Sequence, residues 1–167
     1  ALAARCFLLI AFTGPMTNFV TDAYSGATPL AVLKPGAEPA QATSLLDLFI
    51  GNHAGVIGET SIICLLIGAV YLLVKKIISW RIPVCYIATF AILIFLLAPG
   101  HQFETEYLLK ELCAGGLVLG AFFMATDYVT SPITPMGKIV FGVILGILTF
   151  IFRMYGGSAE GVSYAII

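Results

Sequence analysis

The sequence predicts an all-α polytopic membrane protein, a helical bundle in which some helices break partway across the bilayer. Three observations carry that reading. The chain of 167 residues is 60% hydrophobic and only 10% charged, where a water-soluble domain carries roughly 25% charged residues. Its mean hydropathy is +1.04. Between the apolar stretches lie short segments rich in hydroxyls and proline, of which "TDAYSGATPLAVLKPG", Thr21 to Gly36, is the first.

A spanning helix needs about 20 mostly apolar residues, fewer where other helices shelter it. The first candidate ends near Phe12 and lacks its start. Further candidates run from Thr60 to Ile78, Pro83 to Ala98, Leu108 to Ala125 and Ile139 to Phe152, and a sixth begins after Gly157. "ALAARCFLLIAF" has no signal-peptide layout, and "GVSYAII" stops inside an apolar run. The expectation is a single transmembrane domain over 1–167, a piece of a longer protein.

Positive residues in short loops set orientation. Lys75, Lys76 and Arg81 cluster between the second and third candidates, so that loop is expected inside. "PGHQFETEY" carries Glu104 and Glu106 without Lys or Arg and suits the outer face. "DYVTSPITPMGK" then lies inside, in agreement with Lys138, and Arg5 is also inside. Counting back, "TDAYSGATPL" faces outward. Arg153 breaks the pattern.

The chain answers itself about 105 residues on. "TDAYSGATPL" is matched by "TDYVTSPITPM", and "GNHAGV" by "GGSAEGV". An odd number of spans separates the copies, approximately 1–58 and 107–167, so they face opposite sides. Inverted repeats with interrupted helices place binding sites near the midplane or at a mouth. Irregular backbone at membrane depth is tolerated only where it is buried or lines a cavity, so both Thr-Asp…Thr-Pro segments read as breaks opening onto something polar. Pro15, Pro29, Pro132 and Pro135 lack backbone donors and are expected to end helices. Gly116/Gly120 and Gly142/Gly146 have the spacing that lets helix backbones approach.

Several function classes fall away. The net charge of −1 comes with no basic patch for nucleic acid. Cys6, Cys64, Cys85 and Cys113 are scattered, without the paired spacing of zinc or iron–sulfur ligands, and read as small hydrophobes. His53 and His101 are isolated. No metal site is expected.

Thr28 stands out. Gly26 and Ala27 remove bulk before it, Pro29 stiffens the chain after it, and Asp22 and Ser25 add polar groups. A threonine hydroxyl is a poor nucleophile without a base, and no His is near. The pattern suits modification by another enzyme better than catalysis by the chain itself; an ordinary tight turn is the plainer alternative.

The run Asp22-Ala23-Tyr24-Ser25-Gly26-Ala27-Thr28 resembles the flavinylation motif of RnfD, a membrane component of Rnf complexes. A similar motif is carried by the related membrane component of the sodium-pumping NADH:quinone reductase. The resemblance extends over "GNHAGVIGETS", "RIPVCYIATF", "GAFFMATDYVTSPITPMGK" and "RMYGGSAEGVSYAI". It implies FMN joined to Thr28 through a phosphoester by a dedicated flavin transferase, with Asp22, Ser25, Gly26 and Ala27 forming the surrounding motif. It also implies a urea-transporter-like fold of two inverted halves and residence in a bacterial or archaeal cytoplasmic membrane. The partners implied are membrane lipid and the other components of a ferredoxin:NAD oxidoreductase, those holding iron–sulfur centres and flavins included. The chain then acts within a redox-driven translocase moving sodium ions or protons, not as a catalyst alone.

The second copy, Thr126, Asp127, Thr130, Ser131 and Thr134, lacks Gly-Ala-Thr and is not expected to hold covalent flavin. The relative's second, non-covalent riboflavin makes a riboflavin site here one expectation; a helix-capping turn is its rival. Acidic groups near membrane depth are candidates for an ion path, here Glu59, Asp127 and Glu160. Without the resemblance, the repeats and broken helices alone would equally fit a channel or facilitator for a small polar solute.

Overall fold

A computed structural model describes residues 2–12, 19–21, 24–26, 49–51, 61–98, 103–114, 116–156 and 161–167. Among these the regular elements are helices apart from one ribbon. In order come α1 (Leu2–Ala11), β1 (Phe19–Thr21), β2 (Tyr24–Gly26), α2 (Ile62–Val74), α3 (Arg81–Leu97) and α4 (Thr105–Cys113). A short α5 (Leu117–Leu119) runs directly into a π-helical turn, Gly120–Met124, and α6 (Pro135–Met154) and α7 (Gly161–Ile166) follow.

The centre is the crossing of α3 with α6. Along α3, Ile82, Tyr86, Phe90 and Ile94 recur every fourth residue, with Ala98 just beyond, and all are buried. That interval lays them on one face of a helix. From α6 come Leu145, Thr149, Phe150 and Arg153. The close approach is made by glycine, as the spacing predicts. A Cβ on Gly142 would lie 2.9 Å from the Ile82 carbonyl oxygen, and one on Gly146 would lie 2.8 Å from the Thr89 Cβ.

Among the described residues, α6 alone has the length and composition to cross a membrane as one unbroken helix; α2 and α3 are shorter apolar helices. The opposite face of α6, with Val140, Ile144, Ile147 and Ile151, is exposed and wholly apolar. A face of that kind suits lipid or another apolar surface, not water.

Two expectations change. Pro135, expected to end a helix, begins one. It sits at the first position of α6, where its missing N–H costs nothing, and the Thr134 hydroxyl caps that end by accepting from the Gly137 N–H at 3.2 Å. Leu108 to Ala125, expected as one span, is broken. Its two helical parts diverge by 64°, and Gly116 at the break has φ 65°, a left-handed conformation that glycine adopts without penalty. The break lets the π turn lean onto α7, where a Cβ on Gly120 would collide with the Val162 side chain.

α7 packs on α6 and also touches α1. The ribbon after α1 is antiparallel, pairing Phe19 with Gly26, Val20 with Ser25 and Thr21 with Tyr24. The Tyr128 hydroxyl donates to the Ile77 carbonyl. This contact ties together the two segments that the charge pattern assigns to one side. Most of the first repeat copy, 1–58, lies outside the described residues.

Candidate functional site

Of the segment from Asp22 to Thr28, the described residues are Tyr24, Ser25 and Gly26. Ser25 and Gly26 lie in β2, in register with Val20 and Phe19. Asp22, Ala27 and Thr28 lie outside the described residues, as do Glu59, Glu160, His53 and His101. The ribbon thus anchors the backbone two residues ahead of Thr28.

The second Thr-Asp segment lies fully within the described residues. The π turn before it closes with the Ala125 N–H donating to the Gly120 carbonyl at 2.8 Å, and π turns recur at functional sites. Thr126 then turns its hydroxyl back to the Phe122 carbonyl at 2.7 Å, a local bond that bends helices. The Ser131 N–H donates to the Asp127 carbonyl at 3.0 Å. Asp127 and Thr130 are exposed and Ser131 is half-buried. Thr134 is the cap of α6. Thr126 and Thr134 each make one bond within the chain, and Asp127, Thr130 and Ser131 are exposed or half-buried.

A charged cluster that the sequence reading passed over lies inside the bundle. Arg153, in the last turn of α6, is 2% exposed and Glu111 of α4 is 1% exposed. The guanidinium donates through Nη1 to the Glu111 carboxylate at 2.9 Å and to the Glu111 carbonyl at 2.7 Å. Through Nη2 it donates to the Ala114 carbonyl at 3.0 Å. Its carbon lies 5.1 Å from the centre of the Phe90 ring, within cation–π range. Beside it the Tyr107 hydroxyl donates to Glu111 at 3.4 Å, and Tyr86 shares a 2.5 Å hydrogen bond with Thr149.

This cluster explains why Arg153 breaks the loop-charge pattern: it is no loop residue. It donates to two carbonyls beside the break after Cys113, as polar backbone in an apolar interior requires. Removing one partner of such a buried pair costs about 3–5 kcal/mol. By contrast Lys110 and Glu106, 2.7 Å apart one turn along α4, form an exposed pair of the kind worth little. The available signal was Glu111 itself, an acid inside the stretch expected to span.

The sequence matches the family model described as the NQR2, RnfD, RnfE family over residues 1–167. The chain belongs to this family. Over 173 residues it is 47% identical to the D component of the Na(+)-translocating ferredoxin:NAD(+) oxidoreductase complex of Acetobacterium woodii, with all of this chain and 52% of the relative covered. It is 39% identical over 176 residues to the D component of the proton-translocating ferredoxin:NAD(+) oxidoreductase complex of Clostridium ljungdahlii, covering 98% of this chain and 53% of that protein. The B component of the Na(+)-translocating NADH-quinone reductase of Chromohalobacter salexigens is 35% identical over 178 residues, covering all of this chain and 43% of the relative. The chain spans about half the length of the curated NQR2/RnfD/RnfE relatives it matches.

Proposed function

We propose that this chain is part of a membrane flavoprotein in an ion-pumping electron-transport complex. Electrons pass between NADH and ferredoxin, and the protein relays them through FMN esterified to Thr28 on the extracytoplasmic side. The observation that carries the reading is the run Asp22 to Thr28, set within a family match over residues 1–167. The relatives' names supply the reaction class: two belong to ferredoxin:NAD(+) oxidoreductase complexes.

In this reading the flavin supplies the redox chemistry and the protein supplies attachment and surroundings. Tyr24, Ser25 and Gly26 of the segment pair with β1. Thr28 provides the hydroxyl, and Gly26 and Ala27 leave room for the transferase that modifies it. For a second flavin, riboflavin, the groups near the π turn are Thr126, Asp127, Thr130, Ser131 and Thr134, of which the Thr126 and Thr134 hydroxyls each make one bond within the chain. The fold expected with this function is polytopic, with inverted, urea-transporter-like halves in the cytoplasmic membrane. The other components of the complex hold the nicotinamide and iron–sulfur chemistry. One relative is named for a Na(+)-translocating complex and another for a proton-translocating one, so the cargo is sodium ions or protons.

The test is a denaturing gel of the full-length protein from cells that possess the flavin transferase. A band fluorescing under ultraviolet light and lost on Thr28→Val supports the reading. A dark wild-type band overturns it and favours a solute channel.

A further inference from the structure

α4 ends in the middle of the bundle, not at a surface. Glu111 lies about 9 Å along the helix axis from Thr105, at 1.5 Å per residue, and the chain breaks shortly after it. A helix C-terminus carries a partial negative charge from its unbonded carbonyls. Here the Glu111 carboxylate adds a full one. In membrane proteins, carbonyl oxygens at the ends of half-helices coordinate alkali cations and guide protons. Left to itself, this point would draw cations into the bundle.

A cation is already there, and it belongs to the chain. Three oxygens, the Glu111 carbonyl, the Glu111 carboxylate and the Ala114 carbonyl, converge on the Arg153 guanidinium at 2.7, 2.9 and 3.0 Å. The Phe90 ring covers its face. Gly161, at the start of α7, closes over the stem of the side chain, since a Cβ there would lie 3.2 Å from the Arg153 Cγ. Arginine holds its proton under all ordinary conditions and fits planar, forked acceptor sets, so it cannot hand on a proton as a carboxyl or imidazole can.

We infer that Arg153 is a tethered cation that fills the cation-attracting end of the broken helix and keeps mobile sodium ions and protons off this route. The break is an insulated joint, and ions driven by electron transfer cross elsewhere. The inference rests on the reading of the protein as part of an ion-translocating complex, but its test needs no electron transfer.

Sealed vesicles holding the full complex are assayed for passive uptake of radioactive sodium and for collapse of a proton gradient, with no electron donor present. Assembly is checked by complex size. Arg153→Gln leaves a buried carboxylate without its fixed counter-charge, and passive cation entry rises severalfold. Arg153→Lys keeps the charge, and sodium entry stays at the wild-type rate. An assembled Arg153→Gln complex with wild-type permeability overturns the inference, as does Arg153→Lys leaking as much as Arg153→Gln. If Arg153→Gln does not assemble, Glu111→Gln decides. It leaves the guanidinium on the two carbonyls with excess positive charge, so cation entry stays at or below wild type, and a leak there refutes the barrier. A complex that behaves as expected here yet has no flavin on Thr28 would sink the redox reading alone.

Discussion

The α3–α6 crossing permits a sharp prediction, because two glycines in different surroundings receive the same methyl group. In a helix, Gly→Ala stabilises by about 1 kcal/mol through backbone entropy. At Gly68 in α2 the new Cβ would lie 3.2 Å from the tip of the Phe123 ring, the far end of a side chain that can swing away. Gly68→Ala is therefore neutral or mildly stabilising. At Gly146 the Cβ would lie 2.8 Å from the Thr89 Cβ and 3.0 Å from the Tyr86 carbonyl oxygen. Two backbones must separate, and overpacking of this kind costs about 1–3 kcal/mol, so the net effect is destabilising even after the helix gain. Heat-induced loss of the full-length protein in detergent measures the difference, with Gly146→Ala melting below Gly68→Ala. Cys85 adds a second readout: it flanks Gly142 at the same crossing, and its thiol labels faster when the helices part. Gly142→Ala acts on the same crossing, so the double variant costs less than the sum of the singles. If Gly146→Ala were as stable as Gly68→Ala and Cys85 labelled at the wild-type rate, the close crossing would be wrong.

Other perturbations give expected outcomes too. Tyr86→Phe leaves the buried Thr149 hydroxyl without its partner at a cost of about 1–3 kcal/mol, and adding Thr149→Val recovers part of the lost melting temperature. Thr134→Ala removes the cap on α6 and costs about 1 kcal/mol, visible as faster hydrogen exchange at the Gly137 amide. Tyr128→Phe unties the bond to the Ile77 carbonyl; hydrogen exchange rises in residues 75–80 while the α3–α6 core is unchanged.

Much of this architecture was legible in the sequence because it follows from periodic residues. The ladder Ile82, Tyr86, Phe90, Ile94 announces a helix face, and Gly142/Gly146 announces the point where a second helix meets it. The break within Leu108 to Ala125 was not legible, since Gly116 fits a packing glycine as readily as a left-handed turn; Gly120 does pack, while Gly116 turns. What decides between them is Arg153, 42 residues from Glu111 along the chain, and nothing local pairs the two. Pro135 misled for a related reason, because proline stops a helix that precedes it but opens one that follows. The Thr126 to Thr134 segment does interrupt the helices, and the Thr134 hydroxyl caps α6. Glu111, the carboxylate buried in the interior, was passed over although it stands inside the stretch expected to span.

The attachment of flavin is the claim that most needs a direct measurement, and peptide mass determines it. A proteolytic peptide containing position 28, isolated from the native complex, is predicted to carry the added mass of one FMN joined by loss of water, with fragmentation assigning it to the threonine. The unmodified mass, recovered from a complex in full working order, would contradict the account.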